Sequence, residues 1–199
     1  MEAAVKAVLA RPEALGIRPL ESEVLVHPRR DPGCFHEPEG LLRGYQGDTH
    51  HAIVLLDQAW QGAPSSGAEE TEGLLESALG ASGLLGWARV VVIEPELEVW
   101  VFSDSPHVAS ALGWDAPNPD LRNALQEAGW WPQGASKPPD PKGSVKWALG
   151  RVRKPRSSAI YRDLAERVSL SRCEDRSFLR FKDLLRGWFG LDQTQSGGA

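Results

Sequence analysis

Two short apolar runs are the clearest pattern along the chain, and both are typical of buried strands. Residues 51–56 read HAIVLL, and residues 88–93 read ARVVVI. Neither run alternates polar with apolar positions, which indicates strands that are covered on both faces, as in a parallel sheet. Residues 22–27, SEVLVH, are predicted to form a further short strand that precedes them in the chain.

Helical spacing of apolar residues separates these strands. Residues 1–15 repeat apolar positions every three or four residues, and Gly16 is placed to end that helix. Residues 68–79 are predicted to form a helix with leucines facing inward and glutamates facing solvent. The inward set is Leu74, Leu75 and Leu79, and the outward set is Glu69, Glu70, Glu72 and Glu76. Alternation of helices and apolar strands predicts an α/β fold with a small parallel-sheet core covered by helices.

Beyond residue 104 the pattern is helical, and the C-terminal half is predicted to be all-helical. Helices are expected over residues 107–112, 120–128, 142–150, 157–168 and 175–189. This predicts an α/β core over residues 1–113, a helical extension packed on it over residues 114–191, and a disordered tail over residues 192–199.

Acidic residues crowd the segment that follows the strand at residues 88–93. They are Glu94, Glu96, Glu98 and Asp104. An extended segment would place the three glutamates on one side, whereas a helix over residues 96–102 would begin with an acidic turn. We favour the helix, because Pro95 suits a first helical position.

The composition of the chain limits the classes of partner and the cellular compartment that we expect for it. The 199 residues carry a net charge of −5, which gives no overall attraction to nucleic acid or to an anionic membrane. Cys34 and Cys173 match no metal-ligand spacing and are expected to be free thiols of a reducing compartment. With no apolar run near the ~20 residues of a membrane span and no secretory signal, we expect a cytoplasmic protein that has no membrane partner.

Carboxylates at strand ends form the first candidate site. Asp57 directly follows one buried strand, and Glu98 follows another, while Glu2 begins the first helix. Ligands of open α/β sheets bind at the carboxyl ends of the strands, and Mg²⁺ prefers oxygen ligands. Taken singly, each of these carboxylates is more typical of a solvated surface charge.

A basic segment forms the second candidate site. Arg151, Arg153, Lys154 and Arg156 lie close together in the chain, and Lys137 and Lys142 precede them. Next to a metal site these side chains would neutralise the phosphates of DNA or RNA, with Lys142, Arg156 and Lys137 as the candidates. The alternative is a solvated linker between two helices.

Several motifs together resemble a family of bacterial proteins with a Toprim-like core. In that family a segment P-x-x-E-x-W…D follows the last core strand, as PELEVWVFSD does at residues 95–104. The Pro-Lys pair at residues 141–142, SSAIYRDLAERVSL at 157–170 and the Phe- and Leu-rich last helix also match. The phrases HPRRDPGCF and IEPELEVW are most similar to the small Toprim-like component of methylation-associated antiphage defence systems.

The resemblance implies Mg²⁺ bound by Glu2, Asp57 and Glu98. It implies a nuclease that cleaves phosphodiester bonds, with Glu98 and Asp57 as catalytic residues and Glu96 as a candidate base. Two features depart from the pattern: no strand precedes Glu2, and Asp57-Gln58-Ala59 stands where Toprim proteins have Asp-x-Asp. The alternative is therefore a non-catalytic Toprim-like subunit that docks on a larger effector among the other proteins of the defence system.

Overall fold

A computed structural model describes residues 1–103, 105–114 and 119–191. Asp104 and the predicted tail at 192–199 lie outside the described residues. The chain divides into two compact units. The helical unit comprises Met1–Ala14 and Leu97–Cys173, and the sheet unit comprises Leu15–Glu96 and Glu174–Ala199. The predicted boundary after residue 113 falls within the helical unit.

Within the described residues the elements are two strands, eleven α-helices and one 3-10 helix. In chain order they are α1 (Glu2–Leu9), α2 (Pro12–Leu15), α3 (Arg30–His36), α4 (Pro38–Leu42), β1 (Ala52–Asp57), α5 (Ala68–Ala81), β2 (Ala88–Ile93), α6 (Glu98–Val101), α7 (Pro106–Leu112), α8 (Leu121–Glu127), α9 (Pro141–Arg151), α10 (Ser158–Arg167), the 3-10 helix (Leu170–Arg172) and α11 (Arg176–Phe189).

The sheet unit is built on a β1–α5–β2 crossover. The two strands are parallel, in a register that pairs Ala52 with Ala88 and Asp57 with Ile93. Helices α5 and α11 pack against β2, and α3 packs against β1. The prediction of a mixed α/β fold with a small parallel sheet is confirmed.

One apolar cluster fills the space between the sheet and its helices. Its members are Val54, Leu56, Ala68, Leu75, Leu79, Leu84, Ala88, Val90 and Val92. Val91 and Ile93, which project to the opposite face of β2, are also fully buried. The continuous apolar sequence of β2 is thus explained by burial on both faces.

The segment at residues 22–27 is not a strand, and this prediction was wrong. Leu25 and Val26 are exposed, so the segment lacks the covered face that would favour pairing. Helix α3 follows this segment in the chain. Its second and third residues are Asp31 and Pro32, and a proline is tolerated in a first helical turn, where its missing N–H costs no hydrogen bond.

Helix α5 agrees with its prediction in position, and Leu75 and Leu79 face inward as predicted, but the predicted facing was wrong for two residues. Leu74 was predicted to face inward but is about half exposed (51%), whereas Glu72 was predicted to face solvent and is buried (4%). The carboxylate of Glu72 has partners on β2 and α11, which compensate for its burial. Helical periodicity alone could not identify those partners, because they come from distant parts of the chain.

The helical unit begins with α1, which packs along α10. The predicted single helix at residues 1–15 is divided into α1 and α2, because Pro12 begins a new helix and disfavours helical geometry in the residue before it. Arg11 bridges the break by donating from Nη1 to the carbonyls of Ala165 (2.7 Å) and Val168 (2.9 Å). Burial lowers the pKa of Arg11.

Helix α6 confirms the helical interpretation of the acidic segment but is shorter than predicted. It begins at Glu98 rather than Glu96, and Pro95 lies outside it, in a cis peptide with Glu94. All four residues of α6 are buried. The prediction that Pro95 occupies the first helical position was therefore wrong.

Three of the later helices, α7, α8 and α9, begin with side-chain caps. Ser105, Asp120 and Asp140 each accept a hydrogen bond from a backbone N–H in the first turn of α7, α8 and α9. Gly113 ends α7 at a φ of 77°, in the left-handed region that a side chain would disfavour. Among the described residues, none of the helices combines the length and hydropathy needed to cross a membrane.

Candidate functional site

Glu98 lies at the centre of a buried polar cluster in the helical unit. It opens α6 and is only 2% exposed. Its Oε1 accepts a hydrogen bond from the phenol of Tyr161 on α10 at 2.6 Å and another from Nη2 of Arg156 at 3.0 Å. Sequence reasoning chose Glu98 and Arg156 for separate roles, and the structure brings them together as an ion pair.

Arg156 and Tyr161 also contact each other. Nε of Arg156 donates to the phenolic oxygen at 2.6 Å, and the guanidinium carbon lies 5.0 Å from the ring centroid. Burial, followed by the hydrogen bond to the neighbouring Glu98 carboxylate, raises the pKa of Tyr161. The phenol is therefore held protonated, as a donor to Glu98.

This arrangement at Glu98 does not fit a magnesium ligand. A guanidinium already lies 3.0 Å from Oε1, and a second cation at the same oxygen would be repelled by it. The phenol proton occupies the same oxygen. What the cluster can do is satisfy a buried carboxylate and thereby fix α6 to α10.

Asp57 occupies the position that the sequence predicted, at the carboxyl end of a parallel strand. It is half-buried in the sheet unit and pairs in register with Ile93. Its backbone N–H donates to Oδ1 of Asp31 on α3 at 3.2 Å. Two acidic side chains, Asp57 and Asp31, thus come from neighbouring elements at this edge of the sheet.

Glu2 and Glu96, the other acidic candidates, are found in different surroundings. Glu2 is exposed on α1 and pairs with Lys6 one turn along, at 2.5 Å. Glu96 is the last residue of the first segment of the sheet unit and is buried. Throughout the described ranges, no group of three or more His, Cys, Asp or Glu side chains is arranged to hold a metal ion.

The three basic candidates all belong to the helical unit, but they do not share one role. Arg156 is bound to Glu98, and Lys142 is a half-buried residue in the first turn of α9. Lys137 donates from Nζ to the carbonyl of Val99 and lies 3.9 Å from Sγ of Cys173. Lys137 also lines a cavity of about 160 Å³.

The polar wall of this cavity is cationic and hydroxyl-bearing. Arg172 joins Lys137, and Ser103 and Ser169 add hydroxyl groups. Trp100 and Val168 form apolar walls, beside the buried thiol of Cys173. Sequence reasoning identified Lys137 but missed Arg172, because the 3-10 helix that carries it matches no recognisable motif.

A second carboxylate cluster, in the sheet unit, was also missed. Oε1 of Glu72 accepts the backbone N–H of Val92 at 2.9 Å, and Oε2 pairs with Arg176 (2.5 Å) and Arg180 (3.3 Å) of α11. Glu76 accepts from Nη2 of Arg180 at 2.7 Å. Spacings of four residues in both helices, Glu72 to Glu76 and Arg176 to Arg180, are the signal that could have revealed it.

Burial raises the pKa of Glu72. The Val92 N–H and the two arginines lower it, but their effect is smaller than that of burial. Glu76 accepts a longer hydrogen bond from the N–H of Val90 (3.4 Å), and Arg180 donates to the Val90 carbonyl at 2.9 Å. Within the described ranges, no strand pairs with this edge of β2. Side chains from α5 and α11 form hydrogen bonds with its backbone groups instead. Covered edges of this kind resist pairing with other chains.

A scan against protein-family models, a search of curated proteins and a search of solved structures each found no match to this chain.

Proposed function

We propose that this chain is a non-catalytic, Toprim-like subunit of a bacterial antiphage defence system, and that it docks on a larger effector of the same system. The motifs at residues 95–104 and 157–170 are the basis for the family, and a cytoplasmic location is part of the same proposal. One observation favours the non-catalytic alternative. Glu98, the central acid of the implied metal site, is held by Arg156 and Tyr161.

A pair of stacked tryptophans supports docking as the role. Trp114 and Trp147 in the helical unit are half-buried, with ring centroids 5.9 Å apart, and Arg151 lies 5.5 Å from the Trp147 ring. Tryptophan and arginine are among the residues enriched at interface hot spots. We therefore expect the partner to contact this aromatic pair.

Co-expression with the products of the neighbouring genes, followed by purification on a tag attached to this chain, tests the proposal. A stoichiometric complex is expected, and Trp147→Ala is expected to weaken it at least tenfold. The matched control is Trp87→Ala, because Trp87 is half-buried in the sheet unit. A chain that binds none of these products would contradict the proposal.

A magnesium-dependent nuclease is the second candidate, favoured by the position of Asp57 beside Asp31 at the carboxyl edge of the sheet. Incubation of plasmid DNA and of RNA with the purified chain and Mg²⁺ tests it, alongside Asp57→Ala and Glu98→Ala. Cleavage that both substitutions abolish would establish the nuclease and overturn the non-catalytic proposal. We expect no cleavage by any of the three proteins.

A further inference from the structure

The cavity of about 160 Å³ in the helical unit has the composition of an anion site. Two of its lining residues, Lys137 and Arg172, are cations, and two, Ser103 and Ser169, are hydroxyl donors. All of them lie between residues 97 and 173, so the cavity is formed by this unit alone. An apolar pocket that merely filled a packing defect would not have this lining.

Lys137 is fixed at the cavity wall. Its ammonium donates to the Val99 carbonyl, next to the Cys173 sulfur. A lysine ammonium has three N–H donors, so these two contacts leave one for a ligand. An anchored ammonium loses little side-chain freedom when an anion binds, which favours affinity.

Arg172 supplies the second cation, and its charge is available. Among the described residues, Arg172 has no hydrogen-bond or ion-pair partner, although it lines the cavity. A guanidinium presents five donors in a planar fork that matches the oxygens of a phosphate or carboxylate. Together with Lys137, it would balance an anion that carries two negative charges.

We propose that this cavity binds the phosphate group of a phosphomonoester, with Lys137 and Arg172 as its ligands and the serine hydroxyls as additional donors. The size agrees, since a protein cavity of ~150 Å³ holds a six-membered ring of carbon atoms, and a phosphate group has five heavy atoms. Trp100 and Val168 would then contact the first atoms of the esterified group. This site is independent of the proposed docking role and of the nuclease alternative.

Titration calorimetry of the full chain with inorganic phosphate, at constant ionic strength set by chloride, tests the site. Arg172→Gln is expected to weaken phosphate binding at least about tenfold, because a charge-assisted hydrogen bond is lost. Arg162→Gln is the matched control, since Arg162 is exposed on α10 and outside the cavity. Binding that is absent, or that both variants weaken equally, would overturn the proposal.

Two further arms distinguish free phosphate from a phosphomonoester. A nucleoside 5′-monophosphate should bind more tightly than inorganic phosphate, and the corresponding nucleoside should not bind. Equal affinity for the monophosphate and for inorganic phosphate would restrict the ligand to the free ion and would overturn the phosphomonoester assignment.

The thiol of Cys173 provides a readout at the cavity itself. In a Cys34→Ser background, the rate of Cys173 alkylation by iodoacetamide, measured by mass spectrometry, is expected to fall severalfold at saturating phosphate. In the Arg172→Gln variant, protection should require at least about a tenfold higher phosphate concentration. Protection at the same concentration in both proteins would show that Arg172 is not a ligand of the phosphate and would overturn the assignment.

Discussion

Each unit of the chain has a buried glutamate at the centre of a polar cluster, but the two carboxylates, Glu72 and Glu98, have different kinds of partner. In the sheet unit, Glu72 accepts a backbone N–H of β2 and pairs with two arginines of α11. In the helical unit, Glu98 accepts from one phenol and one arginine. The first cluster supplies hydrogen-bond partners to the edge of strand β2, whereas the second joins side chains of α6 and α10.

The two clusters differ in the groups that lose their hydrogen-bond acceptor when the carboxylate is removed. Without Glu72, a buried strand N–H and two guanidinium groups lose an acceptor. Without Glu98, the phenol of Tyr161 is left in the interior, while Arg156, whose side chain is 45% exposed, can turn to water. Leaving buried polar groups unpaired is more costly than losing a solvated pair.

The largest effect is expected from Glu72→Ala in α5. The free energy of unfolding, measured by urea denaturation, should fall by about 3 kcal/mol, because the buried acceptor of two arginines and one strand N–H is lost. Glu70→Ala in the same helix is the control and should change it by less than about 0.5 kcal/mol, since Glu70 is exposed. Equal effects of the two substitutions would show that the edge cluster contributes nothing to stability.

A smaller loss of about 2 kcal/mol is expected from Glu98→Ala, because only Tyr161 is left buried without an acceptor. The control is Glu127→Ala, at an exposed position of α8. If Glu98→Ala cost as much as Glu72→Ala, the half-exposed Arg156 would not be compensated by water, and the distinction between the two clusters would fail.

Double-mutant cycles sharpen the same comparison. The coupling between Glu72 and Arg180 is expected to be about 2 kcal/mol, because Arg180 is two-thirds buried and also bonds to the Val90 carbonyl. The coupling between Glu98 and Arg156 should be about 1 kcal/mol, since solvent screens the more exposed guanidinium. A larger coupling energy for Glu98 and Arg156 than for Glu72 and Arg180 would mean that solvent exposure does not determine the coupling energies of these pairs.

The sequence predicts well those elements whose own residues determine their secondary structure. Residues 88–93 form the predicted strand without any change of boundary, and α7 differs from the predicted helix at residues 107–112 by one residue. The segment at residues 22–27 contains three consecutive apolar residues, yet it is not a strand. Strand formation depends on a partner and a covered face, which the segment's own residues do not encode.

The candidate site shows the same limit. Sequence reasoning identified Glu98, Arg156 and Lys137, but the contacts of Glu98 with Arg156 and Tyr161 join residues about 60 positions apart. Glu72 was misplaced for a related reason, because its arginine partners are 104 residues away. A residue's chemistry can be identified from its type and neighbours, whereas its partners depend on the tertiary fold.

The smallest expected effect is a change in pH dependence on Tyr161→Phe. Because the fold raises the pKa of Tyr161, the unfolded chain releases the phenol proton first, near the ordinary value of 10. The free energy of unfolding should therefore fall as pH rises above 10, and Tyr161→Phe should fall less steeply.

Cys34 also makes the free energy of unfolding fall as pH rises, because burial raises the pKa of its thiol to about 11 from an ordinary 9.0. The comparison is therefore best made in a Cys34→Ser background, with urea denaturation between pH 8 and pH 11. The matched control is Tyr45→Phe, which removes a half-buried phenol outside the Glu98 cluster. If the slopes of Tyr161→Phe and its parent agree, the phenol is not held as a proton donor to Glu98, and the helical-unit cluster would be reduced to a half-exposed ion pair.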